Sequence, residues 1–494
     1  MLTMGTLRSG VPEFFGGKLP LFLVVVCAAL TGLFAMFVGL WQFMALLALT
    51  IAVAWMLPRP QFSVVVGILV LYLNLGPIAV ATHAYPAAAG IAFFVLLSFA
   101  AATYVLLRRQ PFVIDSVFWM MVLYAVSMLV SSLFSSHPGE SLGRVLVYAL
   151  EGIVLYLLLL NCVRERGDLR RALVILLCGA ALLGAMSTYQ FVTGDHDQHF
   201  WGLAPPAPQG VGVSDAGDKT TQLLTSGPLG ERNHFGQILV MILPMAVALL
   251  FVYPKNRTLL MMAGAALISG LLLTFSRGAF LAAVIVVLAM IPLRWLPVKR
   301  ALAMGVVGLL LLPIFLPEYV ERLQRLTGIF SLSDEGVRSA DISIRGRATE
   351  NLAALRIFAD HPIVGVGPGQ TKFYTAQYDV GGFKRLIGPR KAHSMYLATL
   401  GDLGIVGGMA FFSLIAFVLW RLLQAARALP PRSELRFISY GLLLSLLAFL
   451  VTALFLDLAY ERYLWMLVGL AGAAVRMSET ELQSLPVNSP RVSV

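Results

Sequence analysis

The sequence predicts an all-α polytopic membrane protein, and three observations carry that reading. Of 494 residues, 59% are hydrophobic and only 12% are charged, whereas a soluble domain carries about 25% charged residues. Mean hydropathy is +0.84. Apolar runs of the roughly 20 residues needed to cross a bilayer recur along most of the chain. Helices are the natural form for such runs, because each satisfies its own backbone groups away from water.

Taken in order, the runs read as about fourteen spans, near 20–40, 41–57, 62–82, 86–107, 114–134, 143–162, 171–193, 235–253, 257–275, 277–297, 300–316, 395–420, 436–456 and 459–476. The second and eleventh are short enough to be partly re-entrant. The first is too long for a cleaved signal, no small-residue cleavage site follows it, and another run begins at once. The expected organisation is 1–316 for spans one to eleven, with a loop near 194–234. A large polar loop follows at 317–394, then spans twelve to fourteen at 395–476, and a tail at 477–494 whose polarity predicts disorder.

Charge orients the spans. Arg108 and Arg109, then Arg164, Arg166, Arg170 and Arg171, then Lys255 and Arg257 follow spans four, six and eight. Arg294, Lys299 and Arg300, then Arg421, Arg427, Arg432 and Arg436 follow spans ten and twelve. The positive-inside rule makes that side, and both termini, cytoplasmic. The net charge of +11 is thus spread over span ends rather than gathered into the soluble basic patch a nucleic acid would need. The opposite turns hold few cations, chiefly Arg144, Arg277 and Arg462.

Two long loops then face outward. The loop at 194–234 is rich in Gly, Pro, Asp and Thr and reads as irregular. In the second, Val320, Leu323, Leu326 and Ile329 recur at helical spacing over 317–330, which suits a helix lying on the membrane surface. Leu352, Leu355 and Phe358 predict a second amphipathic helix over 345–360. His361-Pro362 ends it, since proline disfavours helix in the residue before it. Gly365, Gly367 and Gly369 then make a turn, with no strand–turn–helix unit around them to form a nucleotide loop. Cys27, Cys162 and Cys178 sit in or beside apolar runs, so neither a disulfide framework nor a thiolate metal site is expected.

The unusual polar residues fall on the outer side: Arg277, Arg345, Arg347, His393, Asn233, His234, Asp457, Glu461 and Arg462. Even-numbered spans start there, and helix N-termini attract anions. If these ends converge, they form a site for a strongly anionic group at the outer membrane boundary. Guanidinium suits phosphate because it stays charged and binds in bidentate fashion, and a lipid-linked pyrophosphate lies at that depth. Each residue also has a plainer reading. Arg277 could be an interfacial anchor. Arg347 could lie on a solvated face with Glu350 as partner, with Arg345 two residues away. His393, Asn233 and His234 could serve as helix starts. Asp457, four residues before Glu461, could belong to an ordinary polar turn. Glu151 and Asp402 fall inside apolar runs, where an ionisable group is a candidate by default; pairing with an Arg or Tyr would explain them equally. Asp195-His196-Asp197-Gln198-His199 has suitable metal-ligand types, but it stands alone in a polar loop. No metal and no cofactor are expected.

Ser276-Arg277-Gly278-Ala279 comes first in chain order, followed by Arg347 four residues before Asn351 and by His361-Pro362-Ile363-Val364-Gly365-Val366-Gly367. His393-Ser394-Met395-Tyr396-Leu397 and Leu403-Gly404-Ile405-Val406-Gly407 complete the set. Together, in this order and spacing, these residues resemble the O-antigen ligase and O-antigen polymerase superfamily. The motifs cover about 230–410, and the multi-span pattern covers the rest.

The resemblance implies a GT-C-like, metal-independent glycosyltransferase in the bacterial inner membrane, acting on the periplasmic side. Its donor would be a glycan on undecaprenyl pyrophosphate. A ligase would move it to lipid A–core, a polymerase to another lipid-linked repeat unit. The partners implied are that donor, a lipid or glycan acceptor and the bilayer, with no nucleic acid. Arg277, Arg347 and His393 match the family's functional Arg, Arg and His; Asp457 is the match for an acidic residue near the last outer turn. The family often has Trp where Asn351 stands, Asn where Ser394 stands and Glu where Asp402 stands. The long first outer loop keeps an exopolysaccharide polymerase or a protein-glycan ligase open. A transporter or flippase is the alternative from another class, although the halves of the chain are unlike where such proteins tend to show paired repeats.

Overall fold

A computed structural model of the chain describes residues 55–56, 58–195, 198–205, 210–213, 219–222, 226–303, 305–306, 342–378, 389–457 and 461–484. The expected spans at 20–40, 41–57 and 300–316 fall largely outside the described residues, and the surface helix at 317–330 wholly so. His196 and Asp197 of the candidate metal run also lie outside them.

Helices α1 (Pro60–Tyr72) and α2 (Leu75–His83) are bent by 56° at Asn74, whose φ is 58°. Next come α3 (Ala92–Ala102), α4 (Ser116–Ser132) and α5 (Pro138–Tyr148). A π turn at Ala149–Val154 carries α5 into α6 (Leu155–Cys162), and α7 (Arg166–Thr193) follows. Beyond the first loop are α8 (Arg232–Val240), α9 (Leu243–Val252), α10 (Arg257–Leu273) and α11 (Arg277–Ala289). The second loop supplies α12 (Ile342–Asp360) and the short α13 (Thr371–Tyr374). The chain closes with α14 (Met395–Ala428), α15 (Glu434–Thr452) and α16 (Arg462–Ser484). Among the described residues, 7 helical segments are long and apolar enough to cross a membrane, or 8 with the bent pair as one span. The chain is a polytopic helical membrane protein.

Local chemistry sets the helix starts. Asp115 accepts from the Phe118 amide at 3.1 Å, Glu165 and Asp168 form a capping box on α7, and Ser276 accepts from the Ala279 amide. Each satisfies an orphan N–H of a first turn. Close packing then holds the helices together. A Cβ on Gly184 would stand 2.0 Å from the Ala266 carbonyl oxygen, so α7 and α10 cross with backbones nearly touching, the small-residue contact typical of membrane helices. Buried tyrosines tie distant helices: Tyr72 donates to the Ile238 carbonyl at 2.9 Å and Tyr463 to the Tyr72 carbonyl at 3.2 Å.

Two expectations are corrected. The loop at 194–234 is not wholly irregular: Gly210–Val213 and Lys219–Gln222 pair as an antiparallel hairpin. Val211, Val213, Thr220 and Thr221 give those strands the β-branched residues that favour them. The chain also stays helical past Met477 to Ser484. Its polar side chains there are partnered, Glu479 with Arg421 at 2.6 Å and Glu481 with Arg166 at 3.1 Å. With Arg170–Glu434 at 3.2 Å, these pairs make a charged layer at one end of the bundle. His393 lies at the other end: it precedes α14, while Arg421 and Arg427 stand in the last turns of that 34-residue helix.

Helix α14 is also interrupted where the sequence reads as one apolar run. Gly404 has φ 61° and ψ −162°. The backbone released there bonds to the glycine turn after α12. Ile405 N–H donates to the Pro362 carbonyl (2.7 Å) and Val406 N–H to that of Ile363 (3.1 Å). In return, Val366 and Gly367 amides donate to the carbonyls of Gly401 (3.1 Å) and Asp402 (2.9 Å). A Cβ on Gly365 would lie 2.3 Å from the Asp402 carbonyl oxygen, and one on Gly404 would lie 2.4 Å from the Ile363 backbone. Both residues also have positive φ, which costs an L-residue about 1–2 kcal/mol before any clash. Gly365→Ala or Gly404→Ala should therefore destabilise the detergent-solubilised protein by at least about 2 kcal/mol, read as a lower melting temperature. Gly264→Ala, where an added Cβ meets nothing within 4 Å, should leave it unchanged or raise it.

Candidate functional site

The turn at 453–457 ties several helix starts together. Met395 N–H donates to the Ala453 carbonyl at 2.9 Å, seating α14 just after His393. Just before the turn, Thr452 Oγ1 at the end of α15 accepts from Gln237 Nε2 at 2.9 Å, seating α8. Phe455 packs on Gly278, where a Cβ would stand 3.1 Å from its ring, beside Arg277. A Cβ on Gly236 would come within 2.8 Å of the Ala279 Cβ, so α8 and α11 cross tightly next to His234 and Arg277. Asp457 then meets Lys391 Nζ at 2.9 Å and His234 Nε2 at 3.4 Å.

His234 is held between two carboxylates, Asp457 at Nε2 and Glu231 at Nδ1. Glu231 is also the N-cap of α8: it accepts from the amides of Asn233 (3.3 Å) and His234 (2.9 Å) and from Asn233 Nδ2 (2.7 Å). Burial opposes ionisation of Glu231, but the hydrogen bonds from His234 bring its pKa down to about 2. Burial likewise opposes ionisation of Asp457, and there the His234 hydrogen bond and the Lys391 ammonium hold the carboxyl well below the usual range.

A second charged group faces the first from α12. The Glu350 carboxylate, only 4% exposed, stands 3.4 Å from Arg390 Nη1 and 3.3 Å from His393 Nε2. Arg347 lies one turn earlier on the same helix, half-buried. Burial pushes the His393 imidazole below its ordinary value; Glu350 opposes that, Arg347 adds to it, and Asp457 and Glu231 oppose it further. His393 therefore senses both networks. Arg345 is on α12 as well, and its side chain is not among those described. Arg277 opens α11 behind its Ser276 cap.

Two candidates have structural partners instead. Asp402 accepts from the amides of Gly369 and Thr371, both at 2.8 Å, and from the Thr371 hydroxyl. It staples the glycine turn to α14, and it also lines the cavity beside Asp457. Glu151 faces Arg462 at 3.8 Å, the arginine pairing that was the plainer reading. A cavity of about 80 Å³ opens beside Asp457, lined among others by Arg144, Lys372, Lys391, Thr399 and Glu461. Sequence reasoning assigned no role to Glu231, Arg390 or Lys391, and read Glu350 only as a partner for Arg347. Their one sequence signal is nearness to motif residues: Glu231 is three before His234, Glu350 three after Arg347, and Arg390-Lys391 just before His393. Among the described residues, no group of three or more His, Cys, Asp or Glu side chains is placed to hold a metal ion.

Chemically, the arrangement offers permanent cations for an anionic group and, beside them, an imidazole whose burial favours the neutral, proton-accepting form. Residues 262–412 match the family model described as O-antigen ligase. That segment contains Arg277, Arg347 and His393 and ends within α14. A search of curated proteins finds no match.

The Asp457 network makes a prediction about acid stability. Both Asp457 and Glu231 have folded-state pKa values below their unfolded ones. Their stabilisation is therefore complete above about pH 4–5 and is lost as pH falls through the folded values. Asp457→Asn should lower the melting temperature in detergent at pH 7, and the gap from wild type should narrow as pH is taken from about 4 toward about 2. A gap of constant size across that range would contradict a charge-based role.

Proposed function

Because the chain is a member of the O-antigen ligase and polymerase superfamily through residues 262–412, we propose that it transfers a glycan from undecaprenyl pyrophosphate to a hydroxyl acceptor. The acceptor is lipid A–core or a related molecule, and transfer occurs on the periplasmic face of the inner membrane. The observation that supports this most is the grouping of Arg347, Glu350 and His393 with the turn at 453–457, against which the start of α11 at Arg277 also packs. A diphosphate needs permanent cations, and the acceptor hydroxyl needs a base beside them.

In the proposed reaction the acceptor oxygen attacks the anomeric carbon while the bond from that carbon to the phosphate oxygen breaks. The departing undecaprenyl pyrophosphate keeps the electron pair, and Arg277 and Arg347 stabilise its charge. Electrostatic stabilisation of this kind is usually the largest catalytic contribution. His393 takes the acceptor proton, a step for which general-base groups contribute about 10²–10⁴-fold. The reading routes no step through a metal ion. Asp457, Lys391 and the small cavity beside them are offered as the edge of the acceptor region. Charged groups gathered at one end of the bundle favour this reading over a transporter, whose binding groups lie near the midplane.

The test is transfer in vitro from a defined undecaprenyl-pyrophosphate glycan to two acceptors, lipid A–core and a second lipid-linked unit. Glycan on lipid A–core identifies a ligase; extended lipid-linked chains identify a polymerase. Arg347→Ala, His393→Ala and Arg277→Ala should each reduce transfer by at least about 100-fold while the protein stays in the membrane. Near-normal transfer by the Arg347 and His393 variants would end the assignment.

A further inference from the structure

Two histidines stand at this site, and their surroundings differ. Both ring nitrogens of His234 face carboxylates, and its side chain is 10% exposed. Only Nε2 of His393 faces one, and that side chain is 41% exposed. The carboxylate it faces, Glu350, is the buried partner and is held in turn by Arg390 at 3.4 Å.

We propose that Glu350 is a positioning residue: its carboxylate holds His393 by Nε2 and so makes Nδ1 the atom that accepts the acceptor's proton. The reason is the chemistry of the pair. An ionised carboxylate only accepts hydrogen bonds, so the Nε2 it faces carries the hydrogen and the neutral imidazole presents its lone pair at Nδ1. When the acceptor O–H gives its proton to Nδ1, the imidazolium formed is stabilised by Glu350 across the ring. The 3.3 Å separation is long for a hydrogen bond, and such contacts tighten when substrate is bound. Arg390, 3.4 Å away, pairs with the carboxylate and fixes its direction. His234, engaged at both nitrogens, is a strut between α8 and the turn at 453–457 rather than a second base. This inference rests on the reading of His393 as the proton acceptor.

The charged groups around His393 are Glu350 and Arg347 from α12, Arg390 and Lys391 from its own segment, Asp457 from the turn and Glu231 from the start of α8. The test measures His393 itself in the full-length protein in detergent. Diethyl pyrocarbonate acylates neutral imidazole, and peptide mass spectrometry gives the pH midpoint of labelling at His393. Glu350→Gln removes the group that favours protonation, so the midpoint should fall by at least about half a pH unit. Arg390→Gln, at an exposed side chain, should move it the opposite way and serves if the first variant does not fold. In the transfer assay Glu350→Gln should lower kcat about 10-fold or more, with the donor KM changed less than about two-fold. Glu350→Asp should restore much of that loss. A midpoint unmoved in both the Glu350→Gln and the Arg390→Gln proteins overturns the proposal. Labelling needs no transfer, so a wild-type protein that fails to transfer either glycan would remove the proposed function while the Glu350–His393 link is still decided.

Discussion

The interaction on which the site depends is the exchange of backbone hydrogen bonds between the break in α14 at Gly404 and the glycine turn that follows α12. A helix interrupted inside a membrane protein exposes amides and carbonyls that lipid cannot satisfy, so another part of the chain must. The turn at 362–367 does so, donating to Gly401 and Asp402 and accepting from Ile405 and Val406. Asp402 adds its side chain to the same joint, and Ser131 Oγ approaches the Val364 and Asp402 carbonyls at 2.6 and 2.9 Å. The joint therefore fixes α12 against α14 and brings Glu350 and Arg347 to the His393 end of that helix. The described part of the loop thereby gains a hydrogen-bonded attachment to the spans.

Charge is arranged around that attachment with little left to chance. Acidic groups alternate with basic ones from Glu231 through His234 and Asp457 to Lys391, and again from Arg390 through Glu350 to His393. Buried carboxylates of this kind cost free energy unless they are paired and hydrogen-bonded. Their pairing fixes the geometry before any substrate arrives, which is the condition under which electrostatic stabilisation is effective. The opposite end of the bundle uses the same residue types differently: the pairs of Arg166, Arg170 and Arg421 with acidic residues link helix ends at a solvent-facing layer.

Much of this was legible in the sequence, and the reasons differ by element. Long apolar runs gave the described spans, because length and hydropathy alone decide what crosses lipid. Helix 345–360 followed from its apolar spacing and the proline after it, and it is observed as Ile342–Asp360. The break in α14 was not legible, since an apolar run with several glycines is compatible with an unbroken helix; the partner that stabilises the break lies some forty residues earlier. Asp402 and Glu151 drew attention as charges in apolar runs, yet their partners, Thr371 and Arg462, are groups that pattern reading cannot bring to them. Lys391, and Glu350 beyond its pairing with Arg347, carry no such signal for the converse reason: they are charges in polar stretches, and only the folded chain sets them against Asp457 and His393.

We propose that Arg277 and Arg347, 70 residues apart in the chain, grip one diphosphate. A double-mutant cycle on donor binding tests it most directly, using equilibrium binding of a labelled undecaprenyl-pyrophosphate glycan to purified wild type, Arg277→Ala, Arg347→Ala and the double variant. Charge-assisted hydrogen bonds contribute about 1.5–3 kcal/mol each. Each single variant should bind about 10- to 100-fold more weakly, and the double variant should depart from the sum of the two losses, as neighbours on a shared ligand do. Wild-type affinity in either single variant, or losses that simply add, would contradict it.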